Sequence, residues 1–312
     1  MAKVDSFLRV KWRLVWLQFG VTLMLTILGP YLPMFLLGAG VFVVFLTGRP
    51  FFGGTALAQR HANFKSLLMT SPVLNTLISI SVIGKPVLQY LQKHDWNTDI
   101  VPSQVAMPAI VVVIASVYVL LGSFIYFFFR AIRNINFFSQ AKVRSPYSAF
   151  FMLVPITNFV VIPYLEYFAY HRSWLAAVPD KASKTRAAFL VVSAFTLLII
   201  SLAYGRLSED GSPSSLYDPL SLLILSLSTG GAGGILTARI ITGISYAQDL
   251  CAQQRGLLPH IPVDPKVERR SRSKELLQTI AVGVLLTAAL LTALFPALPS
   301  ELVRAASQSL SN

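Results

Sequence analysis

Seven apolar stretches, separated by short intervals rich in Lys and Arg, constrain this chain more than any other feature. They cover residues 14–46, 73–91, 108–129, 149–170, 187–204, 219–245 and 276–295. A helix needs about 20 apolar residues, and at least roughly 17, to cross the hydrocarbon core of a bilayer. Inside that core every backbone N–H and C=O must be paired within the protein, so helices are the natural solution for such runs. The expectation is an all-α, polytopic membrane helix bundle. It forms a single integral-membrane domain over residues 1–312, since no interval is long enough for a separate soluble domain.

Composition agrees. Charged residues make up 12% of the chain, against about 25% in soluble domains. Hydrophobic residues make up 54%, and the mean hydropathy is +0.64. Disorder is excluded on both counts. The net charge of +13 could suggest a nucleic-acid partner. Its distribution argues otherwise, because the cations cluster between apolar runs in the way that marks the cytoplasmic side of membrane proteins. The expected partners are the bilayer and, at the basic loops, its anionic lipids, where each Lys or Arg contributes about 1 kcal/mol. A membrane-protein partner or a second copy is compatible with this reading. One cysteine, Cys251, excludes an intrachain disulfide, and it is expected in a charged loop.

The first stretch is too long for one crossing. Gly29-Pro30-Tyr31-Leu32-Pro33 near its centre marks a turn, which gives a helical hairpin over residues 11–47. Both flanks of the hairpin are basic, with Lys3, Arg9, Lys11 and Arg13 before it and Arg49, Arg60 and Lys65 after it. Both therefore lie inside.

Charge also singles out residues 149–170. Arg130, Arg133, Lys142 and Arg144 precede this segment, and Arg172, Lys181, Lys184 and Arg186 follow it. A full crossing would separate these two clusters. The segment contains Pro155, Asn158 and Pro163, and a broken helix is tolerated at membrane depth where protein or a cavity surrounds it. It is expected to dip into the membrane and return to the same side. The total is then seven crossings plus one re-entrant segment, with the N-terminus in and the C-terminus out. That topology places 21 Lys and Arg inside and 4 outside. A crossing at 149–170 would move the clusters of four and six to the other face and erase the skew.

The stretch 118–174 carries an aromatic-rich run ending in Arg130 and Arg133-Asn134, then Ser145-Pro146, Pro155-Ile156, Asn158, Pro163-Tyr164 and Trp174. It resembles an uncharacterised bacterial integral-membrane family in the order and spacing of these features. Residues around the first proline are aliphatic and aromatic where that family tends towards tryptophan. The resemblance implies a membrane protein and carries no activity or ligand with it; the residues as a whole are read as a protein of a bacterial inner membrane.

Three residues form a candidate polar site. Asn158 lies between two prolines that free upstream carbonyls, so it either caps the broken helix or lines a small cavity. Glu166 is an ionisable group near membrane depth, and it either pairs with Arg130 or Arg172 or binds a proton or cation. Arg239 either snorkels to the headgroups or holds an anion. Ser226, Gly230, Gly234, Ala238 and Thr242 recur every four residues, a small-residue face for close helix packing. Thr279, Gly283 and Thr287 offer a matching face on the last helix. No catalytic grouping, metal-ligand spacing or cofactor motif appears, and the four histidines fall in loops or at membrane edges. The residues point first to a non-enzymatic structural or regulatory role. A small-solute transporter or channel around the broken segment is the alternative, and a lipid enzyme ranks third because no nucleophile and base can be paired.

Overall fold

The apolar runs 73–91, 108–129, 187–204, 219–245 and 276–295 fold as helices of 29 to 38 residues, longer than the hydrocarbon core requires. The computed structural model describes residues 56–93, 103–139, 143–153, 158–178, 182–210, 217–257 and 265–311. Among these are seven α-helices, one 3-10 helix and no strand. They are α1 (Ala56–Lys93), α2 (Ser103–Phe138), the 3-10 helix (Pro146–Leu153), α3 (Asn158–Ala177), α4 (Ala182–Asp210), α5 (Pro219–Gln254), α6 (Pro265–Leu294) and α7 (Leu298–Ser311). The hairpin expected over 11–47 lies outside the described residues.

Four of these helices contain segments long and apolar enough to cross a membrane: Ser71–Tyr90, Lys184–Leu207, Pro219–Gln254 and Ser273–Leu294. Of these, α5 is the most enclosed, with 67% of its span buried against 11% for α6. Leu276, Leu277, Ile280, Val284 and Leu290 of α6 stay exposed, a surface suited to lipid chains.

Several boundaries differ from the sequence reading. Residues 56–70 and 266–274, expected in basic loops, are helical. So are residues 246–254, which makes Cys251 part of α5 and 1% exposed rather than a loop residue. The last turn of α5 explains where it stops. Gly256 takes φ +65, a conformation that suits glycine. The Leu257 amide donates to the Ala252 carbonyl at 2.8 Å and closes the cap, with Leu257 buried behind it. At the other end Asp218 caps the helix, its Oδ1 accepting the Ser221 amide at 2.6 Å, and Pro219 supplies a preset first residue. Of the break expected over 149–170, the stretch around Pro155 lies outside the described residues. The 3-10 helix ends at Leu153 and α3 begins at Asn158, while Pro163 lies inside α3. As the sixth residue of α3, Pro163 has no N–H to give the Phe159 carbonyl, so the first turn of the helix lacks that bond.

The chain divides into two compact units. The first comprises residues 1–78, 114–191 and 238–261. In it α2, α3 and α5 run in the same direction. Asn134, Ser173 and Gln248 meet at one level. One turn further along, Phe138, Ala177 and Cys251 meet in an apolar cluster closed by Leu257. Tyr170 packs on Gly243, where an added Cβ would stand 2.6 Å from the ring.

The second unit comprises residues 79–113, 192–237 and 262–312. Here α5 runs antiparallel to α4, with Ser226 level with Ser201, and Gly233 against Leu198 and the Ala194 carbonyl. Gly231 of α5 faces Leu285 of α6. Tyr217 donates to the Ala293 carbonyl at 3.1 Å, and Ser221 donates to the Pro296 carbonyl.

Candidate functional site

The most polar part of the first unit is assembled from residues on helices far apart in sequence. Gln248 is 1% exposed and uses both ends of its amide. Its Oε1 accepts from Asn134 Nδ2 at 2.8 Å. Its Nε2 donates to the Ala131 carbonyl at 3.1 Å and to Ser173 Oγ at 3.0 Å. Three helices are thus tied by one side chain. Helical spacing puts each partner on an inward stripe. On α5, Ile244, Ala247, Gln248, Cys251 and Ala252 recur at three- and four-residue intervals, and all are buried.

One turn before Asn134 on α2 lies Arg130, 2% exposed. Its Nε and both terminal nitrogens have no hydrogen-bond partner. Its one described contact through the guanidinium is the face of the Tyr126 ring, 5.8 Å away. Arg133 interacts electrostatically with Arg130 and with Tyr147. Arg144 lies 4.3 Å over the Tyr164 ring and donates to Ser148 Oγ at 3.0 Å. The loop that carries Arg144 is held to the end of α2 by Asn136. Its Nδ2 donates to the Arg144 carbonyl at 2.6 Å, and its Oδ1 accepts the Val143 amide at 3.0 Å.

Glu166 is 3% exposed on α3, two turns before Ser173 and on the same inward stripe. No charged side chain acts on it among the described residues. It does not pair with Arg130, whose nitrogens are all unpartnered, and Arg172 is exposed. Asn158 opens α3, with its side chain outside the described set, and Arg239 is half-buried on α5. Of the three expected polar-site residues, then, Glu166 is the one the structure places firmly in the interior. Asn134, Ser173 and Gln248 were missed as a group. Gln248 lies beyond the apolar stretch 219–245, and the signal that could have found it is the continuation of the apolar stripe through Cys251 and Ala252.

The small-residue face of α5 does pack closely, but not on the partner expected. Ser201 Oγ donates to the Ser226 carbonyl at 2.7 Å, and Ser226 Oγ donates back to the Ser201 carbonyl at 3.0 Å. An added Cβ at Gly230 would stand 2.5 Å from Ser201 Oγ and 3.2 Å from Val82 of α1. Thr242 accepts from Asn75 of α1 at 3.1 Å. Gly234 is buried and Ala238 half-buried. The matching face on α6 points elsewhere. Nothing lies within 4 Å of a Cβ built on Gly283. Thr279 and Thr287 are exposed and return their hydroxyls to their own helix, at the Glu275 and Gly283 carbonyls. Leucine 285, not the glycine stripe, brings α6 to α5.

Among the described residues no three His, Cys, Asp or Glu side chains converge as a metal site. His171 stacks on Tyr167 with ring centroids 5.9 Å apart. No protein-family model matches the sequence, and neither a curated protein nor a solved structure is similar to it.

Proposed function

We propose that the chain is a multi-pass protein of a bacterial inner membrane, with its N-terminus inside and its C-terminus outside. In this reading it has seven crossings and one re-entrant segment, and its role is structural or regulatory rather than enzymatic. The observation that carries the reading is the common direction of α2, α3 and α5, tied at Asn134, Ser173 and Gln248. A segment that crossed between α2 and α4 would have to run against α2. Because α3 runs with it, the basic residues after α2, α3 and α5 gather at one end, which the positive-inside rule assigns to the cytoplasm. The segment before α3 then enters from that side and α3 returns to it. The enclosed, small-residue α5 is the scaffold on which the other helices pack.

The experiment is cysteine accessibility in a Cys251→Ser background. Arg172→Cys and Lys184→Cys, both exposed sites, should react with a membrane-impermeant maleimide in inside-out vesicles and not in intact spheroplasts. Labelling from the periplasmic side alone would overturn the re-entrant segment and the orientation together.

A second reading, a small-solute transporter around Asn158, Glu166 and Arg239, is favoured by the burial of Glu166 with no charge acting on it among the described residues. Intramembrane carboxyls of that kind recur in proton and ion pathways. Proteoliposomes loaded with a pH-sensitive dye test it: flux through the native chain that Glu166→Gln abolishes supports it, and equal flux in both discards it.

A further inference from the structure

Arg130 presents an unsolved problem of charge. Arginine stays protonated at any pH a protein meets, so it cannot escape burial by becoming neutral as Lys or Glu can. An isolated buried charge is the most costly group a protein interior can hold. Buried polar groups without partners in a native fold commonly mark the place of an ion or ligand. Here all three guanidinium nitrogens are unpartnered and the residue is 2% exposed. Another cation, Arg133, interacts electrostatically with it. Among the described residues no carboxylate acts on Arg130. The Tyr126 ring face supplies part of the missing negative potential and none of the hydrogen bonds.

The element packed on Phe129, the residue before Arg130, is itself unusual. The 3-10 helix Pro146–Leu153 is 8 residues long, where runs beyond three or four residues are uncommon because the hydrogen-bond geometry is poor, and such runs often mark hinges. It sits on α2 through Tyr147 and Phe150, whose rings meet Phe129 at 5.8 and 6.1 Å. Phe129 is the residue directly before Arg130. The same helix is flanked by Arg144, whose guanidinium is bonded to Ser148. Tyr147 and Ser148 thus connect the 3-10 helix to Arg133 and Arg144.

We propose that Arg130 is the receptor for a phosphate group, with the 3-10 helix Pro146–Leu153 as the element that yields to admit it. A guanidinium fork matches two oxygens of a phosphate at once, and further oxygens remain for neighbouring donors. The phosphate arrives either on an anionic lipid headgroup or as a soluble phosphate. This differs from the diffuse attraction of basic loops for anionic lipids, since it is a single buried site. It does not depend on which end of the bundle faces the cytoplasm.

The test uses the delipidated full chain in a neutral detergent. Native mass spectrometry and thermal unfolding are followed during titration with phosphatidylglycerol, with phosphatidylcholine and with inorganic phosphate. The native chain should take up one phosphatidylglycerol and gain Tm. The lost charge-assisted bonds predict binding at least about tenfold weaker in Arg130→Met. Arg130→Lys, which keeps the charge and loses the fork, should fall between the two. Arg172→Ala, an exposed cation removed, should bind as the native chain does. Saturation by inorganic phosphate alone would assign the site to a soluble phosphate; a response to phosphatidylglycerol and not to phosphate would assign it to the headgroup. Without any ligand Arg130→Met should be as stable as the native chain or more so, because it removes an uncompensated charge. Failure of every phosphate probe to bind, or binding unchanged in Arg130→Met and Arg130→Lys, overturns the proposal. So does a loss of ligand-free stability in Arg130→Met without any phosphate response in the native chain.

Discussion

Replacing Gln248 by alanine removes three hydrogen bonds at once, and the geometry sets what that should cost. The Asn134 amide loses its acceptor at 2.8 Å, and Ser173 and the Ala131 carbonyl lose a donor. In a soluble protein each buried group left unsatisfied costs about 1–3 kcal/mol. Two of the three recover cheaply here. The Ser173 hydroxyl can turn to the carbonyl one turn back on its own helix, and the Ala131 carbonyl keeps its place in the ladder of α2. Asn134, 4% exposed, has no such retreat. Interhelical hydrogen bonds in membranes average about 0.6 kcal/mol and reach about 1.7. The Asn134 bond belongs near the upper figure, being short and enclosed. Loss of the buried side chain leaves a cavity that adds about 1–2 kcal/mol. Gln248→Ala should therefore cost about 2–4 kcal/mol, most of it as weakened attachment of α5 to α2 and α3. The assay is equilibrium unfolding in mixed micelles with increasing SDS, read by circular dichroism, on Gln248→Ala, Asn134→Ala and the double variant. The two sites should be coupled by about 1–1.5 kcal/mol. Strict additivity, or a cost for Gln248→Ala below about 0.5 kcal/mol, would refute the view that this network ties the three helices together.

Two glycines in helices should respond oppositely to alanine. Gly233→Ala places a Cβ 2.9 Å from Leu198 and 3.0 Å from the Ala194 carbonyl, and should destabilise by about 1–3 kcal/mol in the same assay. Gly283→Ala meets nothing within 4 Å and should be neutral or stabilise by up to about 1 kcal/mol through helix propensity. Asp218→Ala removes the cap of α5 and should cost about 1 kcal/mol. Partial burial pushes the Asp218 carboxyl up, but the Ser221 hydroxyl and amide and the Ser300 hydroxyl outweigh it and hold the group below its ordinary value of 3.8. The cap's contribution is thus fully present above pH 3.8 and is lost as the pH falls below it, which unfolding curves at descending pH would show as a gap between native chain and Asp218→Ala that closes. Cys251, 1% exposed with its thiol donating to the Ala176 carbonyl at 3.6 Å, should resist maleimide in the folded chain and react after unfolding.

Hydropathy was enough to place the described apolar helices, because a run of about 20 apolar residues has few other stable options. It was not enough to end them. The sequence reading stopped α5 at Ser245, where polar residues begin, whereas the helix continues to Gln254. Hydropathy counts Gln248 as a loop residue. The fold counts it as interior, because Asn134 and Ser173 arrive from α2 and α3 to satisfy it. Likewise Arg130 was read as the cation that closes a crossing, yet the helix runs on to Phe138 and buries it.

The small-residue stripe shows the same division. Its four-residue spacing announced a close-packing face on α5, since that spacing is local geometry. Its partners were beyond sequence. Gly283 and the threonines beside it share the spacing and face open surface, while a leucine, Leu285, makes the contact with Gly231. Spacing is a property of one helix, whereas contact depends on how two helices are rotated against each other. For residues 149–170 charge and prolines indicated an interruption, and that rests on local chemistry. That α3 runs alongside α2 and not against it follows from hydrogen bonds between residues 114 and 75 positions apart along the chain, Asn134 to Gln248 and Gln248 to Ser173. Such pairings carry no local trace in either partner, because each becomes favourable only when the other is already in place.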